Sequence, residues 1–211
     1  MAVLKANGSF LKANGKILVR PEGGGDTVTI GNNVYPVVKI GNLLWMAENL
    51  HEKVGSYKIV GNAVSEPKCG YLYQKQTIAK SATTLTDEMA SIIDDTGWRM
   101  PSLSEWESAL ASTGGYTTAS TIASKSEDGW PSGDNGTNAN GLNIYPCGLW
   151  NNGRNLHEFN GTRAYLWCVN GGFSSGSLST RITFPANTSA VYTNANSFNY
   201  DNCGVRLVKS I

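Results

Sequence analysis

The sequence predicts an α+β fold that is rich in loops, with a short β element at its N-terminus. Only 16% of the 211 residues are charged, against about 25% in a typical soluble domain. Turn-forming residues make up much of the difference, since the chain has 24 Gly and 21 Asn. Helical periodicity is confined to two short segments. Most other apolar residues stand in short runs between Gly, Asn, Ser and Pro, which is typical of strands and turns.

Charge and hydropathy exclude several kinds of partner. The net charge of +1 gives no general attraction to nucleic acid or to an anionic membrane surface. No stretch approaches the ~18 apolar residues of a membrane-spanning helix, and the first residues lack the apolar core of a secretory signal peptide. We therefore expect a chain that is made in the cytoplasm, does not insert into membranes and does not bind nucleic acid.

The four cysteines, Cys69, Cys147, Cys168 and Cys203, are far apart and form no Cys-x-x-Cys pair. An even number of cysteines allows two disulfides in an oxidising compartment. A chain that is kept in the cytosol retains free thiols instead. Free thiols are therefore the expectation.

Residues 1–26 are predicted to form a separate β element that ends in a glycine-rich joint. Residues 4–8 and 11–15 both read Leu-Lys-Ala-Asn-Gly, and Asn-Gly between apolar runs is a strong hairpin signal. Residues 16–20 follow as a third strand. Because so small an element is marginally stable alone, it either serves attachment and oligomerisation or folds back onto the main domain.

The main domain is predicted to span residues 27–211 and to begin with strands. Residues 34–40 and 43–46 are apolar runs on either side of a Gly-Asn turn, and residues 70–73 form another short apolar run. Their β-branched and aromatic residues favour strands.

Two helices are predicted after those strands. Thr86 is the N-cap of the first helix, whose opening turn is acidic. Ser102 and Glu105 form a capping box at the start of the second helix, directly after Pro101. Since no helical period recurs after Gly115, we expect the last ~95 residues to be short strands and loops.

Several segments resemble a known family in their order and spacing. They are Trp45-Met46-Ala47-Glu48-Asn49-Leu50, Gly70-Tyr71-Leu72-Tyr73, Gly97-Trp98-Arg99-Met100-Pro101, Ala164-Tyr165-Leu166-Trp167 and Gly204-Val205-Arg206-Leu207-Val208. Over residues 33–209 the chain resembles the Fibrobacter succinogenes major paralogous domain family, part of a wider group of bacterial and phage proteins with a C-type-lectin-like fold. The resemblance implies a C-type-lectin-like domain in which two helices flank small twisted antiparallel sheets. The core is expected to hold the aromatic residues Trp45, Trp98, Trp106 and Trp167.

A subset of that fold group are the variable proteins of diversity-generating retroelements, in which mutagenesis at adenines rewrites ligand-contacting residues. In such proteins, a rewritten Asn codon cannot become Lys, Glu, Gln, Met or Trp. Residues 1–167 contain 31 residues of these five types, whereas residues 168–208 contain none. We interpret residues 168–208 as a candidate variable region. The alternative is a loop-rich segment that is rich in Ser, Thr and Asn by chance.

The candidate variable region has the Tyr, Ser, Gly and Asn composition of antibody binding loops. The predicted ligand-contacting residues are Asn170, Ser174, Ser175, Ser177, Ser179, Arg181, Thr183, Asn187, Tyr192, Asn194, Asn196, Phe198 and Tyr200. The last five alternate along the chain, so in a regular strand they share one face. We favour display of that face to a ligand. The alternative is a buried strand, in which the Asn side chains need buried partners.

Catalytic and metal sites find little support in the sequence. Ser174 lies in a Gly-x-Ser-x-Gly motif, but both histidines of the chain precede it and the residues that follow it are not helical. The related formylglycine-generating oxidases use a closely spaced cysteine pair, whereas Cys168 and Cys203 are 35 residues apart. No cofactor is expected. Residues 130–135 offer oxygen ligands for Ca²⁺ but too few carboxylates for a site.

These observations predict a non-enzymatic ligand-binding protein, namely the retroelement-diversified receptor-binding protein, or adhesin, of a phage or prophage tail. Its expected partners are a bacterial surface protein or glycan and other tail proteins. A homo-oligomer such as a trimer and a location in the virion are also expected. Two alternatives are a bacterial surface or glycan-binding member of the family with fixed specificity and, from another class, an oxidase relative of the formylglycine-generating type.

Overall fold

The structure is a computed structural model that describes residues 10–13, 16–19, 26–59, 68–93, 97–174, 177–187, 190–198 and 201–211, with the backbone alone for residues 10–13, 16–19 and 195–198. The strands are β1 (Phe10–Ala13), β2 (Lys16–Val19), β3 (Thr27–Ile30), β4 (Asn33–Ile40), β5 (Leu43–Met46), β6 (Tyr57–Ile59), β7 (Tyr71–Tyr73), β8 (Cys147–Asn151), β9 (Leu156–Asn160), β10 (Arg163–Gly171), β11 (Leu178–Pro185), β12 (Tyr192–Phe198) and β13 (Val208–Ser210). The helices are α1 (Lys75–Ile78), α2 (Asp87–Ile92), α3 (Leu103–Ala111) and α4 (Thr118–Ser124). The described chain is therefore mixed α/β and mostly strand.

The largest sheet has five strands in the order β12-β11-β10-β8-β9. Within it β10 runs parallel to β8, and the other neighbours are antiparallel. A second sheet has the order β13-β5-β4-β3, so the C-terminal strand pairs with a strand from the start of the domain. Two antiparallel ribbons, β1-β2 and β6-β7, complete the pairing.

Both faces of the central strand β10 are buried. Tyr165 and Trp167 belong to one hydrophobic cluster, which also contains Trp98. Leu166 and Cys168 belong to a second cluster on the opposite face, together with Trp45 and Trp106 and others. Successive side chains of a strand point to opposite faces, so β10 divides the core into two layers. The prediction that these tryptophans are core residues is confirmed.

The two predicted helices are confirmed, together with their caps. Thr86 caps α2 by accepting a hydrogen bond from the backbone N–H of Met89 at 3.3 Å. Ser102 and Glu105 form the predicted capping box at the start of α3. At the N-termini of these two helices, three backbone N–H groups that have no partner within the helix are thereby hydrogen-bonded.

The expectation of no helix after Gly115 is wrong, because α4 occupies Thr118–Ser124. Thr117 caps it by accepting from the backbone N–H of Ser120 at 3.3 Å. The helix is a run of Thr, Ser, Ala and Ile, and its buried side chains are mostly small and polar. It therefore has no apolar stripe, and a search for hydrophobic periodicity misses it. The single turn α1 was not predicted either.

At the N-terminus, the hairpin predicted around Asn14-Gly15 is confirmed by the pairing of β1 with β2, which also accounts for the predicted strand at residues 16–20. The first copy of the repeat, residues 4–8, lies outside the described residues. The strands predicted at residues 34–40, 43–46 and 70–73 correspond to β4, β5 and β7.

The expectation of free thiols is wrong for two of the four cysteines. Cys69, just before β7, and Cys147, at the start of β8, form a disulfide with their Cα atoms 5.3 Å apart. The pair is 78 residues apart in sequence, so spacing alone could not reveal it. Cys168 and Cys203 are free and buried.

Candidate functional site

The candidate site lies on one face of the outer strands β10, β11 and β12. Across these strands Tyr165 pairs with Thr183, and Thr183 pairs with Tyr192. In the next such row Trp167 pairs with Arg181, which pairs with Asn194. Directly paired residues of neighbouring strands share a face, so this face carries side chains from inside and outside the candidate variable region.

Arginine and aromatic side chains alternate along this face, and we call Phe159, Arg163, Tyr165 and Arg181 the arginine–aromatic row. The Arg163 guanidinium lies 4.4 Å from the centroid of the Phe159 ring, and Arg163 Nη1 donates to the Tyr165 hydroxyl at 3.1 Å. The Arg181 guanidinium lies 4.6 Å from the centroid of the Tyr165 ring. Cation–π contacts of this kind fix flexible arginine side chains in one geometry.

The positive charges of the arginine–aromatic row are only partly neutralised by nearby carboxylates. Arg181 Nη1 lies 3.8 Å from Asp201 Oδ2, which is a long ion pair. Burial raises the pKa of Asp201, although the nearby Arg181 lowers it. Among the described residues, no carboxylate lies within ion-pair distance of Arg163. The hydrogen bond to Tyr165 raises the pKa of Arg163, so Arg163 carries a positive charge on this face.

Two polar atoms beneath this face have no hydrogen-bond partner in the described structure. They are the Nε of Arg181 and the Oγ1 of Thr183, and both are buried. An unpartnered buried hydroxyl costs about 1 kcal/mol or more. The face is therefore not optimised for stability alone.

Two buried lysines hold the backbone at the ends of the outer strands. Lys75 Nζ donates to the carbonyl oxygens of Val169 at 2.8 Å and Asn170 at 2.6 Å, near the end of β10. Lys125 Nζ donates to the carbonyl oxygen of Asn187 at 3.3 Å, in the β11–β12 turn. Burial lowers the pKa of Lys75 to about 8. The contacts of both lysines with carbonyl groups do not depend on side-chain identity, whereas Lys75 also lies 4.2 Å from the centroid of the Phe173 ring and 3.5 Å from Ser179 Oγ.

The predicted ligand-contacting residues fall into four groups. The exposed ones are Asn170, Ser174, Asn187 and Tyr192, and the half-buried ones are Ser177, Arg181 and Asn194. Ser179 and Thr183 are fully buried, so their predicted exposure to a ligand is wrong. Ser175 and Tyr200 lie outside the described residues, as do the side chains of Asn196 and Phe198.

Ser179 and Thr183 are buried because β11 is covered on both faces. Ser179 donates to the carbonyl oxygen of Gly172 at 2.7 Å and closes the β10–β11 turn. Thr183 lies between Tyr165 and Tyr192 in the row of paired residues. Composition alone could not separate these residues from their exposed neighbours.

The backbone register of β12 is irregular within positions 192–198, the described part of the predicted alternating segment. Asn194 pairs with Arg181, but Ser197 pairs with Ser179, so β12 has one extra residue between these pairs. Phe198 then pairs with Leu178, which neighbours Ser179 on β11 and therefore points to the other face. Such a β-bulge shifts the alternation of a strand by one residue.

Sequence reasoning missed Phe159, Arg163 and Asp201 as members of this face. Phe159 and Arg163 precede residue 168 and therefore lie outside the candidate variable region, although Arg163 and Tyr165 alternate along the same strand as residues within it. Phe159 is 41% exposed and has a φ of +60°, which is rare for a bulky residue. Neither feature has a signal in the sequence.

The residues considered for catalysis have the following surroundings in the structure. Ser174 is followed by strand β11 and not by a helix, so the nucleophile-elbow context is missing. Cys168 and Cys203 are fully buried, and burial raises the pKa of each thiol to about 12. A buried thiol with a raised pKa is a poor nucleophile. His51 and His157 each lie within hydrogen-bond distance of a backbone carbonyl oxygen.

The described residues contain neither a cluster of metal-binding side chains nor a membrane-spanning helix. No group of three or more His, Cys, Asp or Glu side chains in this part of the chain is arranged to hold a metal ion. Its helices are all too short or too polar to cross a membrane.

A polar cavity of about 480 Å³ lies away from the outer strands and is lined by Lys68, Glu127, Asp128, Asn138, Asn143 and Tyr145. Lys68 Nζ lies 2.8 Å from Asp128 Oδ2, and the hydroxyl of Tyr145 donates to Asp128. Because these groups already pair with one another, we assign no ligand to the cavity.

The family model of the Fibrobacter succinogenes major domain matches residues 38–209. The chain belongs to this family. No curated protein and no solved structure matches the chain.

Two contacts explain why the segments shared with the Fibrobacter succinogenes major domain occur together. Arg206 Nε donates to Asn49 Oδ1 at 2.7 Å and joins segments 157 residues apart. Arg99 Nη1 donates to Glu105 Oε2 at 2.8 Å, and the same oxygen accepts from the backbone N–H of Ser102 at 2.7 Å. The polar residues of these segments therefore maintain the fold, and they lie apart from the candidate site.

Proposed function

We propose that this protein is a non-enzymatic ligand-binding protein with a C-type-lectin-like fold, and that it is the retroelement-diversified receptor-binding protein of a phage or prophage tail. One observation carries the proposal. The segment that lacks five residue types supplies the outer strands β11 and β12 of the main sheet, and the rest of the chain binds backbone groups at the ends of these strands.

Backbone contacts of this kind suit a surface whose side chains change. Lys75 and Lys125 bind carbonyl groups of the segment, and the backbone N–H of Val191 donates to Thr121 Oγ1 at 2.8 Å. Replacement of the side chains of Tyr192 and Asn194 leaves these contacts in place. Residues that combine rigid aromatic area with adaptable amides suit ligand binding at low entropic cost.

The genomic locus tests the diversification. We expect a reverse-transcriptase gene and a near-identical template repeat beside the 3′ end of the coding sequence. Among isolates, substitutions should occur at adenines of the codons for Asn187, Tyr192 and Asn194. Identical sequences in all isolates, with no reverse transcriptase nearby, would refute the diversification.

A library experiment tests the binding surface itself. Randomisation of Ser177, Asn187, Tyr192 and Asn194 should yield folded variants that bind an arbitrary probe protein such as hen lysozyme. A matched library at the buried Ser179 and Thr183 should yield few folded variants. Equal yields of folded binders from both libraries would remove the proposed surface.

A second candidate function is a bacterial surface protein of the same family with fixed specificity. The disulfide between Cys69 and Cys147 favours a working location outside the reducing cytosol, which suits a surface protein as well as a released virion. The locus experiment separates the two candidates, because only a diversified protein needs a template repeat.

The oxidase alternative finds less support, because the thiols of Cys168 and Cys203 are buried and have raised pKa values. Oxygen consumption that depends on added thiol and is lost in Cys168→Ser would revive it.

A further inference from the structure

We propose that Phe159 and Arg163, supported by Tyr165, form a fixed anchor for an anionic group, and that the ligands of this face are acidic polysaccharides. The inference rests on the proposed function and adds a ligand class to it. All three residues precede residue 168, so they stay constant when the candidate variable region changes.

The anchor lies beside the proposed variable side chains. Tyr165 and Tyr192 flank Thr183 in one row of paired residues, and neighbouring strands are about 4.8 Å apart. The electrostatic influence of Tyr192 contributes to the pKa shifts of both Arg163 and Tyr165. A ligand on Tyr192 therefore also reaches Arg163.

The Arg163 guanidinium has unused capacity for an anion. Its one hydrogen bond within the described residues goes to the Tyr165 hydroxyl, whereas a guanidinium has five N–H donors. No carboxylate neutralises it in that part of the chain. Arginine binds carboxylate, sulfate or phosphate groups through paired hydrogen bonds, and the stacking on Phe159 orients it in advance.

Phe159 gives the anchor a second feature, which is a fixed apolar ring at the surface. Its φ of +60° has an energetic cost in a residue with a side chain, because Cβ then crowds the following carbonyl oxygen. Despite that cost its ring is 41% exposed and contacts Arg163 and Tyr165. Strain of this kind at an exposed aromatic residue points to a function.

The surrounding groups favour a polysaccharide over an acidic peptide. Asn194 lies on this face, in register with Arg181, and Thr162 lies in the turn between β9 and β10. Both are half-buried or exposed, and an amide and a hydroxyl group can pair with sugar hydroxyls. The exposed ring of Phe159 suits the flat apolar face of a sugar, and Arg163 suits its carboxylate. The chemistry therefore matches a uronic-acid polymer.

The test uses the full chain and two forms of one polymer, polygalacturonate and its fully methyl-esterified derivative, which lacks the charge. Because the anchor is independent of the variable residues, the protein should bind polygalacturonate at least tenfold more tightly than the ester, since hydrogen bonds to charged groups contribute about 1.5–3 kcal/mol. The chain's own net charge of +1 makes general attraction weak. An absence of binding to polygalacturonate would overturn the proposal.

Matched variants locate the binding. Arg163→Gln should weaken polygalacturonate binding at least tenfold and leave binding of the ester unchanged. Arg154→Gln is the control, because its side chain is 74% exposed, pairs with Glu158 and lies at the other end of β9 from Phe159. Equal losses in both variants would mean general electrostatic attraction and would overturn the proposal. Arg163→Lys tests the geometry and should recover only part of the affinity.

Two further arms separate the ligand class from the proposed function. Tighter binding of polyglutamate than of polygalacturonate would overturn the polysaccharide assignment. If variants selected from the library at Ser177, Asn187, Tyr192 and Asn194 bind their probes but Arg163→Gln has no effect on polygalacturonate, the anchor fails and the proposed function stands. If Arg163→Gln abolishes polygalacturonate binding while the library yields no binders, the anchor stands and the display surface fails.

Discussion

The closing segment, residues 201–208, and the outer hairpin, β11 with β12, lie in the same candidate variable region but are built differently. Every residue of the closing segment is buried, and its Arg206 makes four side-chain hydrogen bonds to the framework. The outer hairpin is buried over most of β11, but Leu178 on β11 and Tyr192 and Thr193 on β12 are exposed, and several contacts at its ends are made with its backbone. Side-chain variation is therefore compatible with the hairpin and not with the closing segment.

Arg206→Met should have the largest effect, because it breaks the closing segment. The guanidinium is fully buried and donates to Asn49 Oδ1 and to the backbone carbonyl groups of Met46, Leu142 and Asn143. Its removal leaves four buried acceptors without a donor, and we expect a loss of about 3–5 kcal/mol in the free energy of unfolding.

Denaturation in guanidinium chloride measures that loss. The control is Arg154→Met, at an exposed arginine, which should change stability by about 0.5 kcal/mol or less. If both variants unfold at the same denaturant concentration, Arg206 is not the residue that holds the closing segment.

The disulfide lies next to Asn49, whose side chain accepts a hydrogen bond from Arg206. Asn49 Nδ2 donates to the carbonyl oxygen of Cys69 at 3.0 Å and lies 3.7 Å from Cys147 Sγ. For the double variant Cys69→Ala and Cys147→Ala, the loop of 78 residues predicts a loss of about 4–5 kcal/mol from loop-closure entropy. A reductant should lower the melting temperature of the native chain and leave that of the double variant unchanged. Equal shifts in the two proteins would show that the bond does not stabilise the fold.

Glu105→Gln tests a weaker interaction near the closing segment, the ion pair between Arg99 and Glu105. Arg99 pairs with Glu105 by its side chain and with Val208 by its backbone. The hydrogen bonds from Arg99 lower the pKa of Glu105, and we expect the variant to lose about 1–2 kcal/mol at neutral pH.

The effect of pH on Glu105 has a defined sign. Because the pKa of the carboxyl group is lower in the folded state, its contribution is present above the unfolded-state pKa and disappears as the pH falls through the folded-state pKa. Urea denaturation of both proteins between pH 7 and pH 2 should therefore show converging stabilities. A constant difference over that range would contradict the ion-pair explanation.

Local signals in the sequence predicted much of the fold. The capping box at Ser102 and Glu105 and the short strands around residues 34–46 could be predicted because their causes lie within a few residues. The helix α4 and the disulfide could not, because one lacks an apolar stripe and the other joins residues 78 positions apart. The family segments were recognised, but the pairing of Asn49 with Arg206 appears only when the fold brings them together.

The candidate site was predicted from the amino-acid composition of residues 168–208. Composition identifies a segment of the chain, but not which of its side chains share one face of a strand. Tyr192 and Asn194 lie at accessible positions as expected, whereas Ser179 and Thr183 are buried. The β-bulge between Arg181 and Ser179 changes which residues share a face, and it results from strand pairing that no local pattern encodes. Arg163 was missed because it precedes the segment with the unusual composition.

Thr183→Val tests whether the outer hairpin is optimised for stability. The Oγ1 of Thr183 is buried and has no partner in the described structure, and valine has nearly the same shape. We expect the variant to be as stable as the native chain or more stable by about 1 kcal/mol. Thermal denaturation measures this difference. A loss of stability would mean that the hydroxyl group has a partner, such as an ordered water.

Tyr192→Ser should have the smallest effect, because Tyr192 is 38% exposed at the edge strand and its side chain has no role in holding the hairpin ends. We expect a loss below about 1 kcal/mol. The matched change is Tyr73→Ser, which removes a fully buried ring whose hydroxyl donates to the carbonyl oxygen of Glu52 at 2.6 Å and should cost about 3–5 kcal/mol. Chemical denaturation of the two variants compares one substitution in the two kinds of environment. Similar losses would mean that the outer hairpin tolerates change no better than the core, and the argument for a variable surface would fail on physical grounds.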